Sequence, residues 1–463
     1  MKNFVLLKNV IFSSFLSYCF FLVLIFIFNF TGNSRLESFL ILTVAAIISL
    51  YIFSKKIFNH FDFSITRFIL FAFFIRLFIG YLFFEFYMFP DYFIDPNSKI
   101  FFAHPEYLIT HDYMVELATY RINNGFFQFY EYYYYAKAIA IHFFMSNLYY
   151  TGNMHIFDIA VQNSLFSVYV AIFVCEISRL LNASVLQQKF VLILALYLPF
   201  TMISSMIWRD AVGELFIAGS GIFIIYALRS KILIALIFIS LACAAMVMQR
   251  YIYFYFPAAA YAIYFLIFSI NNSRPVKLIY LLVFLLIIFT TNNLSPLLVF
   301  FDSTFGSYSK FLSLELFLFA PINLLRILLG PFPWTNWLTF TDNSIYLIAD
   351  YFQVVYNLTV ISLVFLNYDK IKKSNISKNH YVFIIMFLMF WIVTLSTPDI
   401  HISYFSAGMI FLLPTLSFIN NDFKILKNKF ISRFFLLLMF FLLLNILLIS
   451  FGITGQSLGT EFR

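Results

Sequence analysis

Cysteine is nearly absent, with only Cys19, Cys175 and Cys243 in 463 residues, each inside a long apolar run. Three thiols so far apart form neither a disulfide framework nor the spacing of a metal site, so they read as packed side chains and no metal is expected. Charge is almost as scarce, at 11% of residues, and glycine and proline number only 13 and 12. With 63% apolar residues, that scarcity excludes an ordinary soluble domain. There is no Gly-rich phosphate loop. No internal repeat or low-complexity linker divides the chain, and residues 1–463 read as a single integral membrane domain.

What is present is apolar and aromatic, including 68 Phe and 31 Tyr. Windows long enough to cross a hydrocarbon core of about 30 Å recur from end to end. We read about thirteen, at residues 9–30, 36–54, 67–88, 157–178, 190–208, 211–228, 232–249, 251–270, 277–292, 344–366, 380–397, 402–420 and 431–452. They are too long and too continuously apolar for barrel strands, which leaves helices. The expected fold is an all-α polytopic membrane protein.

Orientation follows from the basic residues. Most of the 29 Lys and Arg fall in alternate connections, among them Lys2, Lys8, Lys55, Lys56, Arg179, Lys189, Lys370 to Lys378 and Lys424 to Arg433. An excess of this kind marks the cytoplasmic side, which puts the amino terminus inside and, with an odd span count, the carboxyl terminus outside. The first span has Lys2 and Lys8 before it but no small-residue cleavage site, and reads as a retained anchor. The formal charge of +8 is then accounted for by the insertion rule, and nucleic acid is not an expected partner.

This topology is directly testable. A single cysteine at position 304 should react with an impermeant maleimide added from outside, and one at Lys373 should not. The opposite pattern would invert the assignment.

Two outer segments interrupt the spans. Outer loop 1, residues 89–156, carries Asp91, Asp95, His104, Glu106, His111, Asp112, Glu116, Arg121 and Glu131, the last within the aromatic run 130–135. Its second half mixes Tyr, Lys and His with Ile and Phe, as in a helix lying in the interface. Outer loop 2, residues 293–343, contains Asp302, Lys310, Glu315, Arg326 and the turn Gly330-Pro-Phe-Pro-Trp334. Loops of this length and aromatic content read as functional rather than disordered.

Candidate chemistry gathers at outer helix ends. Arg209 and Asp210 cap the hairpin between the fifth and sixth spans, and Arg250 sits at the matching turn between the seventh and eighth. Two guanidiniums at similar depth could clamp a phosphate or pyrophosphate through paired donors. The alternative is an interfacial Arg209–Asp210 pair with Arg250 snorkelling to headgroups. Asp210 and Glu214 are four apart and share a helix face, as do Asp112 and Glu116. A carboxylate of either pair could take a proton from a sugar hydroxyl, whereas a solvated helix face accounts for Asp112 and Glu116 equally well.

Arg76 stands near the middle of a span, where a cation must face a partner or a wet cavity, with Glu85 or a loop carboxylate as candidates. It could contact substrate or form a structural pair. Asp350 raises the same question and reads as packing. His401 shares the last outer turn with Asp399, and a lone His of this kind is more often satisfied than reactive.

Together, Asp112 with the mixed helix after it, the interfacial Tyr run, Asn163 in a span, the stretch from Pro199 to Arg209-Asp210, Arg250, the Gly330 to Trp334 turn and His401 resemble the Wzy-type polymerases of polysaccharide repeat units. These are similar in design to the multi-span GT-C glycosyltransferases that use polyprenyl-linked donors. The resemblance covers roughly residues 67–415. Two departures stand out. Asp112 is followed by Glu116 a turn later where many GT-C enzymes have paired acidic residues, and His401 replaces a basic residue of the last outer turn.

The resemblance implies a GT-C-like fold in the bacterial cytoplasmic membrane with its site on the periplasmic or external face. It implies a polyprenyl-pyrophosphate-linked oligosaccharide as substrate, membrane lipid around the polyprenyl tail, no cofactor, and a chain-length regulator protein as partner. Arg209, Arg250, Arg326, Arg76 and His401 would hold pyrophosphate or glycan, and Asp112, Asp210 or Glu116 would act as base. The same parts fit a GT-C transferase adding single sugars, an O-antigen ligase, or a lipid-linked oligosaccharide flippase. The flippase class is usually built from repeats around a midplane site, and the unequal outer loops here differ from that plan.

Overall fold

In a computed structural model the described residues are 2–27, 34–57, 64–83, 105–125, 157–198, 210–227, 355–366, 378–396, 402–416 and 431–440, with a few single positions between them. They are helical apart from caps and turns. Three of the helices are long and apolar enough to cross a membrane, which makes this a helical membrane protein on length and composition. The chain divides into two compact units, residues 1–254 and 255–463.

The first unit contains α1 (Lys2–Ile27), α2 (Arg35–Ile57), α3 (Ser64–Phe83), α4 (Pro105–Asn124), α5 (Asp158–Leu180), α6 (Val185–Leu196) and α7 (Asp210–Ala227). The apolar stretch Val10–Ile27 of α1 has 18 residues and α5 has 23. At a rise of about 1.5 Å per residue these measure about 27 and 34 Å, enough to cross a bilayer core.

Helix α5 is the hub, packing against α1, α2, α3, α6 and α7. Every residue from Asp158 to Ser178 is buried. Helices α1, α2 and α3 each bury one face and turn the other outward. On α1, Ser14, Ser17, Tyr18, Phe21 and Ile25 are buried, while Phe12, Phe15, Phe20, Val23 and Phe26 are exposed. An outward face made of Phe and Val suits lipid, since hydrocarbon exacts no cost for exposed apolar side chains.

Because lipid tails are as apolar as Leu, burial in protein does little to drive helices together in a membrane, and polar contacts gain relative weight. The hub supplies them. Tyr169 of α5 donates to Ser17 Oγ of α1 at 2.7 Å, and Ser49 of α2 donates to the Ser17 carbonyl at 2.6 Å. Tyr18 donates to Gln162 Oε1 at 2.9 Å, and Ser38 to Asp158 Oδ2 at 2.8 Å. Ring pairs Tyr18–Phe166 and Phe53–Tyr169, at 5.0 and 5.3 Å between centroids, fill the space between these bonds.

The connection from α5 to α6 is written in local chemistry. Asn182 adopts the left-handed region at φ 67°, with its N–H on the Arg179 carbonyl and that of Ala183 on the Ser178 carbonyl, both 3.0 Å. This double bond pattern ends a helix at a residue that tolerates positive φ. Ser184 then caps α6 in a reciprocal box with Gln187, which satisfies donors that a helix start leaves open. As a result α6 begins at Val185 and ends at Leu196, short of the continuous span expected over 190–208. Pro199 lies three residues beyond Leu196. Proline disfavours helix at the residue before it and lacks the N–H that a continuing helix would use.

In the second unit, α8 (Val355–Leu366) and α11 (Ile431–Phe440) are short apolar helices. Between them in the chain, α9 (Lys378–Ser396) and α10 (Ile402–Thr415) pack against each other. Phe411 of α10 lies 5.7 Å from Phe390 and 6.2 Å from Phe383 of α9, centroid to centroid. Much of α11 is outward-facing hydrocarbon, with Phe435, Leu436, Met439 and Phe440 exposed.

Seven of the expected spans correspond to described helices over most or all of their length, at 9–30, 36–54, 67–88, 157–178, 211–228, 380–397 and 402–420; 190–208, 344–366 and 431–452 do so in part. The spans at 232–249, 251–270 and 277–292, outer loop 2 and the second half of outer loop 1 lie outside the described residues, save single positions.

Candidate functional site

The buried polar centre of the first unit is organised by Arg76. On α3 the inward stripe is Ile69, Ala72, Phe73, Arg76 and Leu77, while Phe68, Phe71, Phe74 and Phe78 face outward. Arg76 thus occupies a core position of an otherwise apolar helix, and it is fully enclosed.

Three nitrogens of the guanidinium meet protein oxygens. Nε donates to Ser167 Oγ of α5 at 2.8 Å. Nη1 donates to the Ala72 carbonyl one turn back on α3 at 2.9 Å. Nη2 donates to the carbonyl of Leu196, the last residue of α6. That carbonyl is available because α6 stops there, and a helix carboxyl end carries partial negative charge that favours a cation.

Glu214 of α7 is fully buried in the same unit, and a carboxylate there favours the charged form of the Arg76 guanidinium. A buried cation is tolerated when its donors are satisfied, and Arg76 is hydrogen-bonded through all three nitrogens. Glu85, offered by the sequence as a partner, lies outside the described residues. Sequence reasoning had noted Glu214 for its place four residues after Asp210 and not for its burial.

The remaining sequence candidates are distributed as follows. Asp210 is the first residue of α7. Asp112 and Glu116 both lie on α4, which confirms a shared helix, and Glu116 is exposed. On the same helix Leu117, Ala118 and Arg121 are buried. The side chains of Asp112 and Asp210, and the positions of Arg209, Arg250, Arg326 and His401, lie outside the described residues.

A second polar group, also unforeseen, lines the amino-terminal half of α5. Asp158, Gln162, Asn163, Ser164 and Ser167 are all buried. Beyond its bond from Ser38, Asp158 leaves Oδ1 without a hydrogen bond among the described residues, as Gln162 does Nε2. The signal was present in the sequence as a run of polar residues in a span, of which only Asn163 had been singled out. Cys175 is buried and shares its proton with the Gln188 carbonyl at 3.5 Å. Near the end of α5, Arg179 Nε donates to Glu176 Oε2 at 2.7 Å. No group of His, Cys, Asp and Glu suited to a metal ion occurs among the described residues.

No protein-family model, curated protein or solved structure matches the chain.

Proposed function

We propose that this protein polymerises polyprenyl-pyrophosphate-linked oligosaccharide repeat units into a surface polysaccharide, on the outer face of the bacterial cytoplasmic membrane. The observation that supports this reading best is the position of Arg76. It is buried in a helical membrane protein and hydrogen-bonded to the carbonyl of Leu196, the last helical residue before the segment that leads in sequence to Arg209-Asp210. Fixed cations are what a pyrophosphate site requires, because catalysis depends on fixed charges at the place where charge develops.

In the proposed reaction the acceptor sugar hydroxyl attacks the anomeric carbon of the donor. The new glycosidic C–O bond forms as the bond to pyrophosphate breaks, polyprenyl pyrophosphate leaves, and a carboxylate, Asp112 or Asp210, takes the hydroxyl proton. The two arginines Arg209 and Arg250 neutralise the departing pyrophosphate. Binding energy placed on the leaving group accelerates the step because charge there is greatest in the transition state. The polyprenyl tail lies against the apolar outer faces of the helices.

A strain lacking the gene tests this reading against transport. Polymerase loss should leave single repeat units at the cell surface, carried on the lipid core where a ligase is present, since export and ligation do not require chain growth. A glycan gel should then show one short band in place of a ladder. Complete loss of surface repeat units, with lipid-linked units stranded on the cytoplasmic leaflet, would turn the assignment to a flippase.

A further inference from the structure

Asp158 and Gln162 each leave one polar atom unanswered inside the helix bundle. Asp158, the first residue of α5, is 1% exposed, and Gln162 is fully buried. Ser38 of α2 donates to Asp158 Oδ2 at 2.8 Å, and Tyr18 of α1 donates to Gln162 Oε1 at 2.9 Å. Asp158 Oδ1 and Gln162 Nε2 have no hydrogen bond among the described residues. The two residues are four apart on one helix, so they share a face with Cβ atoms about 5–6 Å apart. Their bonds to Ser38 and Tyr18 turn that face towards α1 and α2. Apolar rings adjoin it: Phe39, next to Ser38, lies 5.1 Å from Phe157, next to Asp158, and Tyr18 lies 5.0 Å from Phe166.

An ionised carboxylate enclosed in this way needs a compensating positive charge, since buried charges persist when paired or coordinated. Among the described residues no Lys, Arg or His forms an ion pair with Asp158. A proton on Asp158 would leave the Gln162 amide as it stands, whereas a cation between the two meets both. The two ends of a side-chain amide fill nearly the same space, so the amide can turn to offer Oε1 to the cation and Nε2 to the Tyr18 hydroxyl. From this geometry we propose that Asp158, Gln162, Ser38 and Tyr18 form a binding site for a monovalent alkali cation, held by oxygens from α1, α2 and α5. Hard cations take oxygen ligands of this kind. The single carboxylate selects a charge of one, because a divalent ion would carry uncompensated charge into the bundle. A cation there fastens α1 and α2 to the hub, and the site stands independently of the polymerase reading.

The test is thermal unfolding of the purified full-length protein in detergent, in NaCl, KCl or N-methyl-D-glucamine chloride at equal ionic strength. Sodium or potassium should raise the unfolding temperature by several degrees over the organic cation. The rise should saturate with concentration, as binding to the folded state requires. Asp158→Asn keeps the shape of the side chain and removes its charge. It should abolish the alkali effect and, in N-methyl-D-glucamine, unfold at a higher temperature than the parent, since it carries no uncompensated buried charge. Ser38→Ala removes one neutral ligand, and should keep the effect while moving its half-maximal concentration up several-fold.

Equal unfolding temperatures of the parent in all three salts would overturn the proposal and leave a proton as the compensating charge. An alkali effect of the same size and half-maximal concentration in Asp158→Asn would overturn it as well, by placing the cation elsewhere. Where Asp158→Asn fails to accumulate, Ser38→Ala decides: a half-maximal concentration equal to the parent's overturns the site, and one moved up several-fold supports it.

Discussion

Replacing Arg209 or Arg250 with alanine should reduce polymerisation by about 100- to 1000-fold, and lysine should do little better than alanine. The magnitude is that of removing one preorganised contact to a charged transition state, about 2.7 to 4 kcal/mol. The failure of lysine follows from geometry. Pyrophosphate offers pairs of oxygens to a forked guanidinium, and a compact ammonium supplies one donor direction at a time. If the two residues instead snorkel to headgroups, lysine should substitute without loss. Surface glycan of normal length from Arg209→Ala and Arg250→Ala strains, at protein levels equal to the parent, would remove both residues from the mechanism.

The requirement for a partner to Arg76 was legible in the sequence, but its identity was not. An arginine in the middle of an apolar span announces that something compensates it. Two of its hydrogen-bond partners stand 91 and 120 residues further along the chain, and one is a main-chain carbonyl that exists as a free acceptor only because α6 stops at Leu196. No side-chain pattern records such an acceptor. The stop itself could be anticipated from Pro199, and the start from Ser184 with Gln187 three residues later. The hydropathy window blurred both, since Gln187, Gln188 and Lys189 dilute it at one end and the apolar stretch beyond Leu196 extends it at the other.

For α5 the sequence showed a span but not a centre. Its polar residues lower its hydropathy relative to α1 and α2, and burial on every side is what allows a membrane helix to carry Asp158, Gln162 and Ser164. The pairing of Ser17, Ser49 and Tyr169 depended on three helices meeting, which serine and tyrosine positions alone do not specify. By contrast, the outward Phe positions of α1 and α3 recur at helical spacing and could be read as stripes, although in so apolar a chain the periodicity does not say which stripe meets lipid.

The most direct measurement is elongation by the purified, full-length protein in detergent, supplied with a lipid-linked repeat unit. Detergent micelles have no two sides, so a transporter has nothing to move across, whereas a polymerase needs only donor, acceptor and its own outer site. Products longer than one repeat unit, with release of polyprenyl pyrophosphate for each bond formed, are the predicted result, and Arg209→Ala should suppress both together. Folded protein that leaves the single repeat unit unchanged, and releases no polyprenyl pyrophosphate, would contradict the polymerase assignment.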